Sequence, residues 1–518
     1  MRGNGLIDSN KIGWRTAMSS RTVSNGETHS RHMRRRKNRY QVPLASTGNS
    51  AMFSLRDYAE GVRKNDLLID FVSITIWQPC ANGLKLSGHG LVKINASGAL
   101  LCDFICTNAT GLNLDAFGES YQFDNEDDSK NLKFIAVDIQ GKTWEAENFA
   151  LHLTMMSADP PFKCEFFLSE IVHCSKQTIP VQQQNYLWFE SLESSYIPKN
   201  KVNTIKDTLT GESFKRNQTK LDLSDFEVSI IDQQDYTTVY ANGNFDIDSL
   251  FEALKFYIGF TSGTMPSAYV LTTRAGDDMK HHIRSINKKI NQTRIPRPIN
   301  HMLMLSLDEW NDPHHFKLLQ NILVIQKKLP RFFNSTVSQW KRVWQGFNAT
   351  QSITALTLTV SIEGLLIDLF IPELEAERAD ADFENQKNEI IKTLKKTEIN
   401  SIHLETIITH VMRWGNIHAN AALKILAEKG LITKNEVKAW VDLRNSSAHP
   451  KFAEMTAKRE AKERGRLMRC LTLFYKLNLN IYGYTGAYTL YEPNEVMDVM
   501  MPAVEIFNVA FEPSNKVE

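Results

Sequence analysis

The strongest constraint on this chain is a change in its hydrophobic period. From Leu67 to about Tyr240, apolar residues recur mostly at every second position. Examples are LLIDFVSITIW (67–77), GLVKINA (90–96), ALLCDFICT (99–107), LKFIAVDIQ (132–140), NFALHLTMM (148–156) and CEFFLSEIVH (164–173). Such alternation suits strands with one buried face. Turn residues separate the runs at Asn82-Gly83, Ser97-Gly98, Gln140-Gly141 and Asp159-Pro160-Pro161. Short strands at this spacing predict a sandwich or a strongly bent sheet. Asp246 to Phe260 then turns helical, with Leu250, Leu254, Tyr257 and Ile258 on one stripe, and a last strand is expected over Ala268 to Thr273. From Ser306 onward the period is that of helices, expected near 313–329, 334–347, 351–371, 383–396, 401–413, 416–429, 433–445, 453–465 and 466–482. The fold class is therefore α+β, a β-rich and sandwich-like N-terminal domain followed by an all-α bundle.

A chain of 518 residues is too long for one ordinary core. The expected division is a basic, flexible leader (1–50), a β-rich domain (51–300), a helical domain (301–492) and an irregular tail (493–518). The Lys-, Arg-, Asn- and Pro-rich stretch 274–300 is the expected linker.

The formal net charge of +1 conceals an asymmetry. The first 50 residues hold ten Lys and Arg against Asp8 and Glu27, a net of +8, and the remainder carries −7. Any nucleic-acid site in the folded part must then be a local basic patch. Six cysteines, without a C-x-x-C pair, argue against a disulfide framework or a zinc knuckle and suit a reducing, cytoplasmic setting. No metal site and no cofactor are expected. The most apolar run, 353–372, contains Ser361, Glu363 and Asp368, so it reads as a buried helix rather than a membrane span. No apolar signal segment stands near Met1.

The segment VDLRNSSAHP (441–450) carries the clearest chemistry. Arg444 and His449 stand in an R-x4-H spacing. Chance placement of Arg and His gives roughly two spacings of R-x4–6-H type, and four occur, from Arg274, Arg294, Arg413 and Arg444. Context separates the last. Pro450 disfavours helical geometry at His449, so the helix should distort or stop around Ser446 to His449 and let the two side chains converge. Histidine exchanges protons near neutrality, and arginine braces a phosphoryl oxygen in two-toothed fashion. RNA supplies its own nucleophile, the 2′-hydroxyl, so no metal is strictly required. The products would be a 2′,3′-cyclic phosphate and a 5′-hydroxyl end. Beyond the motif, Lys458, Arg459, Lys462, Arg464, Arg466 and Arg469 form a basic helix face that either contacts RNA or is simply solvated.

Three segments together resemble a HEPN domain of the type found in ApeA-like antiphage proteins: SIEGLLIDLF (361–370), LRNSSAHP (443–450) and LTLFYKLNLNIYGYTGAY (471–488). The resemblance covers about 351–488. It implies a metal-independent endoribonuclease effector of abortive-infection defence, working on RNA (tRNA among the candidates) as a homodimer or higher oligomer. Two motifs would meet across the interface. Arg444 and His449 would be catalytic, Asn445 would shape the motif, and Lys458, Arg459, Lys462 and Arg466 would touch RNA. Glu363 would either pair with Arg444 or only hold the bundle together. The β-rich half would sense a trigger, one of phage origin being a candidate. The alternative is a non-catalytic nucleotide- or RNA-binding HEPN-like protein, and a third reading is a structural protein in which Arg444 and His449 only cap a helix.

Overall fold

The computed structural model describes residues 50–509 apart from 112–119, 122–123, 125, 153–159, 177–183, 193–194, 208–210, 224, 234, 288–293, 300–312, 379–380, 399, 414–415, 449–455, 493–494 and 508. The basic leader therefore lies outside the described residues. The order of elements is α+β: an antiparallel sheet followed by helices.

Helix α1 (Ser50–Lys64) precedes β1 (Leu68–Trp77), β2 (Lys85–Ile94), β3 (Leu100–Thr110), β4 (Ser120–Tyr121), β5 (Lys133–Asp138), β6 (Thr143–Glu147), β7 (Leu151–His152), β8 (Phe162–Leu168) and β9 (Glu170–Lys176). Then come β10 (Asn185–Ser191), β11 (Lys201–Asp207), β12 (Gly211–Leu223), β13 (Phe226–Asp232), β14 (Thr237–Gly243), α2 (Ile247–Ser262), β15 (Ala268–Ala275) and β16 (Asp278–Arg284). Among the described residues, fourteen strands form one ladder, β11-β12-β13-β14-β10-β15-β16-β9-β6-β5-β1-β2-β3-β8. It bends on itself rather than splitting into two sheets. β8 and β9 are one run of chain interrupted only by Ser169. β8 pairs with β3, while β9 pairs with β6 and β16, so the strands between them wrap around one apolar interior.

The alternation read from the sequence builds that interior. β5, β6 and β8 bury every second residue, among them Phe134, Ala136, Trp144, Cys164 and Phe166. Cys102 and Cys106 face the same interior and pack as small apolar groups, as their spacing suggested. In β1 a register shift between Phe71 and Ile74 leaves Val72 and Ser73 both outside and returns Ile74 to the core. Gly88 and Gly90 of β2 lie so close to the backbone of β3 that a Cβ would run into the Ile105 and Asp103 carbonyl oxygens, which allows the tight bend.

Residues 274–300 are not a linker. They contain β16, paired between β15 and β9, and the segment after it adds Ile295 and Ile299 to the core. Its Lys280-His281-His282 run hid an inward alternation, with His281 and Ile283 buried. The His281 ring stacks on His173 at 5.9 Å and bonds Thr272 Oγ1 at 3.0 Å. Burial first, then His173, His282 and Lys142 nearby, pushes its pKa down to about 4. Between its ordinary value of 6.5 and about 4, the unfolded chain binds a proton that the fold refuses. Stability should then fall as pH drops through that window, by at most about 3 kcal/mol from this group. His281→Gln is expected to flatten the thermal midpoint against pH between 6.5 and 4; an unchanged slope would assign the acid sensitivity elsewhere.

The helical part comprises α3 (Pro313–Lys328), α4 (Pro330–Phe347), α5 (Gln351–Leu365), a π-helical turn (Leu366–Phe370), α6 (Ile371–Arg378), α7 (Ala381–Leu394), α8 (Ser401–Met412), α9 (Ala419–Glu428), α10 (Lys434–Ala448) and α11 (Ala457–Ile481). Two expectations are corrected. The helix over 351–371 does not end at Pro372 but runs on to Arg378. Pro372 offers no N–H to the turn before it, and the helix passes it by widening into the π turn. The helices placed at 453–465 and 466–482 are one, because Gly465 is buried in packing rather than ending a helix. The tail expected to be irregular from 493 instead contains β18 (Glu495–Met500), which pairs with β17 (Ala487–Glu492).

Helix α2 links the two halves. Asp246 caps it through Ser249 N at 2.8 Å, and Gly263 closes it with a left-handed φ of 67°. Phe256 meets Phe333 and Tyr482, and Phe260 meets Trp340 and Tyr475. One apolar cluster consequently runs from Leu187 to Phe507, across the boundary placed at 300. Among the described residues, the continuous stretch Gln351–Arg378 is long and apolar enough to cross a membrane; 56% of its most apolar window is buried against other elements.

Candidate functional site

Thr350 starts α5 by accepting from Ile353 N. One face of α5, with Thr354, Leu358, Ser361, Ile362 and Leu365, is buried in the bundle. The opposite face shows Ile353, Leu356, Val360 and, in the π turn, Ile367, each 45–55% exposed. Glu363 lies in the same 3-4-3-4 row.

Helix α10 crosses behind it. Trp440 is buried and its Nε1 donates to the Thr359 carbonyl at 3.2 Å, which ties α10 to α5. One turn later, Arg444 reaches Glu363 with two parallel bonds, Nε to Oε2 at 3.0 Å and Nη2 to Oε1 at 2.9 Å. The guanidinium stands 5.6 Å from the Trp440 ring. Of the two roles open for Glu363, pairing with Arg444 is the one present. The pair is partly exposed, so its value is orientation more than stability. Arg444 Nη1 makes no hydrogen bond among the described residues and stays available to a ligand.

His449 lies outside the described residues, one position beyond the last residue of α10. The helix was expected to distort or stop around Ser446 to His449; α10 stays helical through Ser446 and Ser447, and its last residue is Ala448. Ser446 Oγ donates back to the Leu443 carbonyl at 3.0 Å, a bond that a continuing helix accommodates. Asn445 is exposed and makes no side-chain hydrogen bond among the described residues.

Helix α11 stands beside α10 and is locked to it by a buried ion pair. Lys476 Nζ lies 3.0 Å from Glu436 Oε1, with both side chains under 5% exposed. Glu436 also accepts from Thr433 N at 2.6 Å. The expected RNA-contacting face of α11 is partly neutralised within the chain. Arg459 pairs with Glu463 at 3.2 Å, Arg466 with Asp442 at 2.7 Å and Arg469 with Glu492 at 2.7 Å. Lys458 and Lys462 are exposed with no ion pair among the described residues.

Sequence reasoning missed Trp440 as the shelf under Arg444, although its position four residues before the arginine was a usable signal. Among the described residues, no group of three or more His, Cys, Asp or Glu side chains is placed to hold a metal ion. Compared with family models, curated proteins and solved structures, the chain matches none.

Proposed function

We propose that this chain is an RNA-cleaving effector with a HEPN-like site formed by Arg444 and His449. The supporting observation is Arg444 itself, a partly exposed guanidinium aimed by Glu363 and backed by Trp440, five residues before a histidine. In the proposed reaction His449 takes the proton of an RNA 2′-hydroxyl. The resulting oxygen bonds to the adjacent phosphorus as the P–O5′ bond breaks, the 5′-oxygen takes a proton from solvent while His449 returns its own to solvent, and a 2′,3′-cyclic phosphate remains. Arg444 steadies the charge that builds on the non-bridging oxygens. The nucleophile and the phosphate belong to the same substrate, so metal activation of water is not needed. We place this activity in the cytoplasm, in defence against phage, with the β-rich half as sensor.

The proposed working state is a homodimer. The exposed row Ile353, Leu356, Val360 and Ile367 follows heptad spacing, and a second copy could bury it as a coiled-coil-like seam. Glu363 sits inside that row, so pairing would bring two Arg444 sites together. Leu356→Glu with Val360→Glu is expected to turn a dimer into a monomer, read by light scattering after size exclusion. A doubly substituted chain that keeps the parent mass would rule out this seam.

The test of cleavage is incubation of RNA with the parent chain in EDTA, followed by mapping of the new ends. Cyclic-phosphate ends that vanish in Arg444→Ala and His449→Ala support the reading. Equal cutting by the parent and both variants would refute it. A second reading, a non-catalytic RNA- or nucleotide-binding platform, is favoured by the fact that Glu363 already engages two Arg444 donors. It predicts binding without new ends.

A further inference from the structure

Helix α4 carries a surface that the R-x4-H motif does not include. Two open depressions of about 500 and 810 Å³ flank it and share Asn334, Ser338 and Arg342, so they form one groove along the helix. Arg331 and Arg342 are eleven residues apart. On a helix that is three turns, so they share a face at a separation of about 16 Å. Arg331, Lys341 and Arg342 are all exposed, and none has a carboxylate partner among the described residues. Arg342 makes only a long bond, 3.4 Å, to Gln339 Oε1. Two carboxylates border the groove, and both are engaged: Glu252 by Lys255 at 2.8 Å, and Asp368 by Ser335 Oγ at 2.8 Å. The surface thus presents net positive charge interspersed with amide and hydroxyl groups.

The groove adjoins the Arg444 site. Gly364 of α5, next to Glu363 in sequence, lines it, and Ile367 of the π turn, one turn beyond, forms the rim where the groove meets the proposed dimer seam. At Gly364 the absent side chain lets Gln339 of α4 approach closely; a Cβ there would crowd the Gln339 amide. Helix α11 offers less, because three of its arginines are held in ion pairs.

We propose that this groove is the track for the phosphate backbone of single-stranded RNA, with Arg331 and Arg342 holding separate phosphates and Asn334 and Ser338 bonding the chain between them. The proposal rests on the RNA reading of the Arg444 site. At about 3.4 Å per stacked nucleotide, the distance between the two arginines covers about five nucleotides. Exposed cations without internal partners are the ones that gain from displacing counterions on a nucleic acid.

The test uses the full-length chain with His449→Ala, so that RNA survives, and a fluorescein-labelled single-stranded RNA read by anisotropy across a salt series. Arg331→Ala with Arg342→Ala is expected to weaken binding at least about tenfold and to reduce the slope of log K against log salt by about 1.4, two contacts at about 0.7 each. Arg331→Lys with Arg342→Lys should keep the salt slope. An α4 variant that binds like its parent overturns the proposal, as does an absence of RNA binding by the parent. The two readings fail separately. RNA bound through α4 without cyclic-phosphate ends would end the cleavage reading and leave the groove standing. Cleavage retained, with α4 substitutions silent in binding, would do the reverse.

Discussion

Alanine at Arg444 is expected to lower RNA cleavage by about a thousandfold, the upper range for removal of one donor to a developing oxyanion, while moving the thermal midpoint by only a few degrees. The two effects separate because the Arg444–Glu363 pair lies at the surface, where solvent screens it and its net worth is about 1 kcal/mol or less. A guanidinium in direct, two-toothed contact with a phosphoryl oxygen acts on charge that builds in the transition state, so its loss shows in the rate rather than in the fold. Lysine at 444 keeps the charge but loses the planar fork that meets both Glu363 oxygens, so a loss of about a hundredfold is expected. Glu363→Gln should cost less, about tenfold, because one of the two parallel bonds survives. The ordering Ala, Lys, Gln identifies Glu363 as a positioning residue. If Arg444→Ala cuts RNA within tenfold of the parent, Arg444 has no part in the chemistry, whatever its neighbours.

Glu436→Ala is expected to be the most destabilising single change near the site. It would strand the Lys476 ammonium in a bundle that leaves its side chain only 4% exposed. Breaking one partner of such a buried pair costs about 3–5 kcal/mol, which for a domain of this size corresponds to a midpoint lower by roughly 10 °C. Thr433 N would also lose its acceptor. Replacing both partners, Glu436→Met with Lys476→Met, should recover most of the loss, since two apolar side chains of similar length leave no uncompensated charge. Thermal unfolding followed by circular dichroism separates these cases. A single variant as stable as the parent would mean that water reaches Lys476. Because this pair joins α10 to α11, the single variant should also lower cleavage at temperatures well below its own midpoint.

Much of the fold was legible in order and type. Period two marked most strands around the first core, and the stripe of Leu250, Leu254, Tyr257 and Ile258 marked α2. Misreadings came where tertiary contacts overrode local signals. Pro372 reads as a stop, yet the surrounding core keeps the helix intact and a π turn absorbs the missing donor. The polar run Lys280-His281-His282 reads as a linker, yet pairing on both sides makes it a central strand. A buried histidine looks the same in sequence as an exposed one.

At the site, the Arg444/His449 spacing and the involvement of Glu363 were readable, while the continuation of α10 through Ser446 was not. Residue types and periods follow from local rules: which side chains suit a pleat or a helix stripe, and which can carry a proton or grip a phosphate. Those rules determined the α+β order and the candidates for chemistry. Which carboxylates neutralise which cations depends on distances between residues far apart in the chain. Only the tertiary structure decided that the arginines of α11 are largely paired, that Glu363 meets Arg444 across 81 positions, and that those of α4 stand open along a groove.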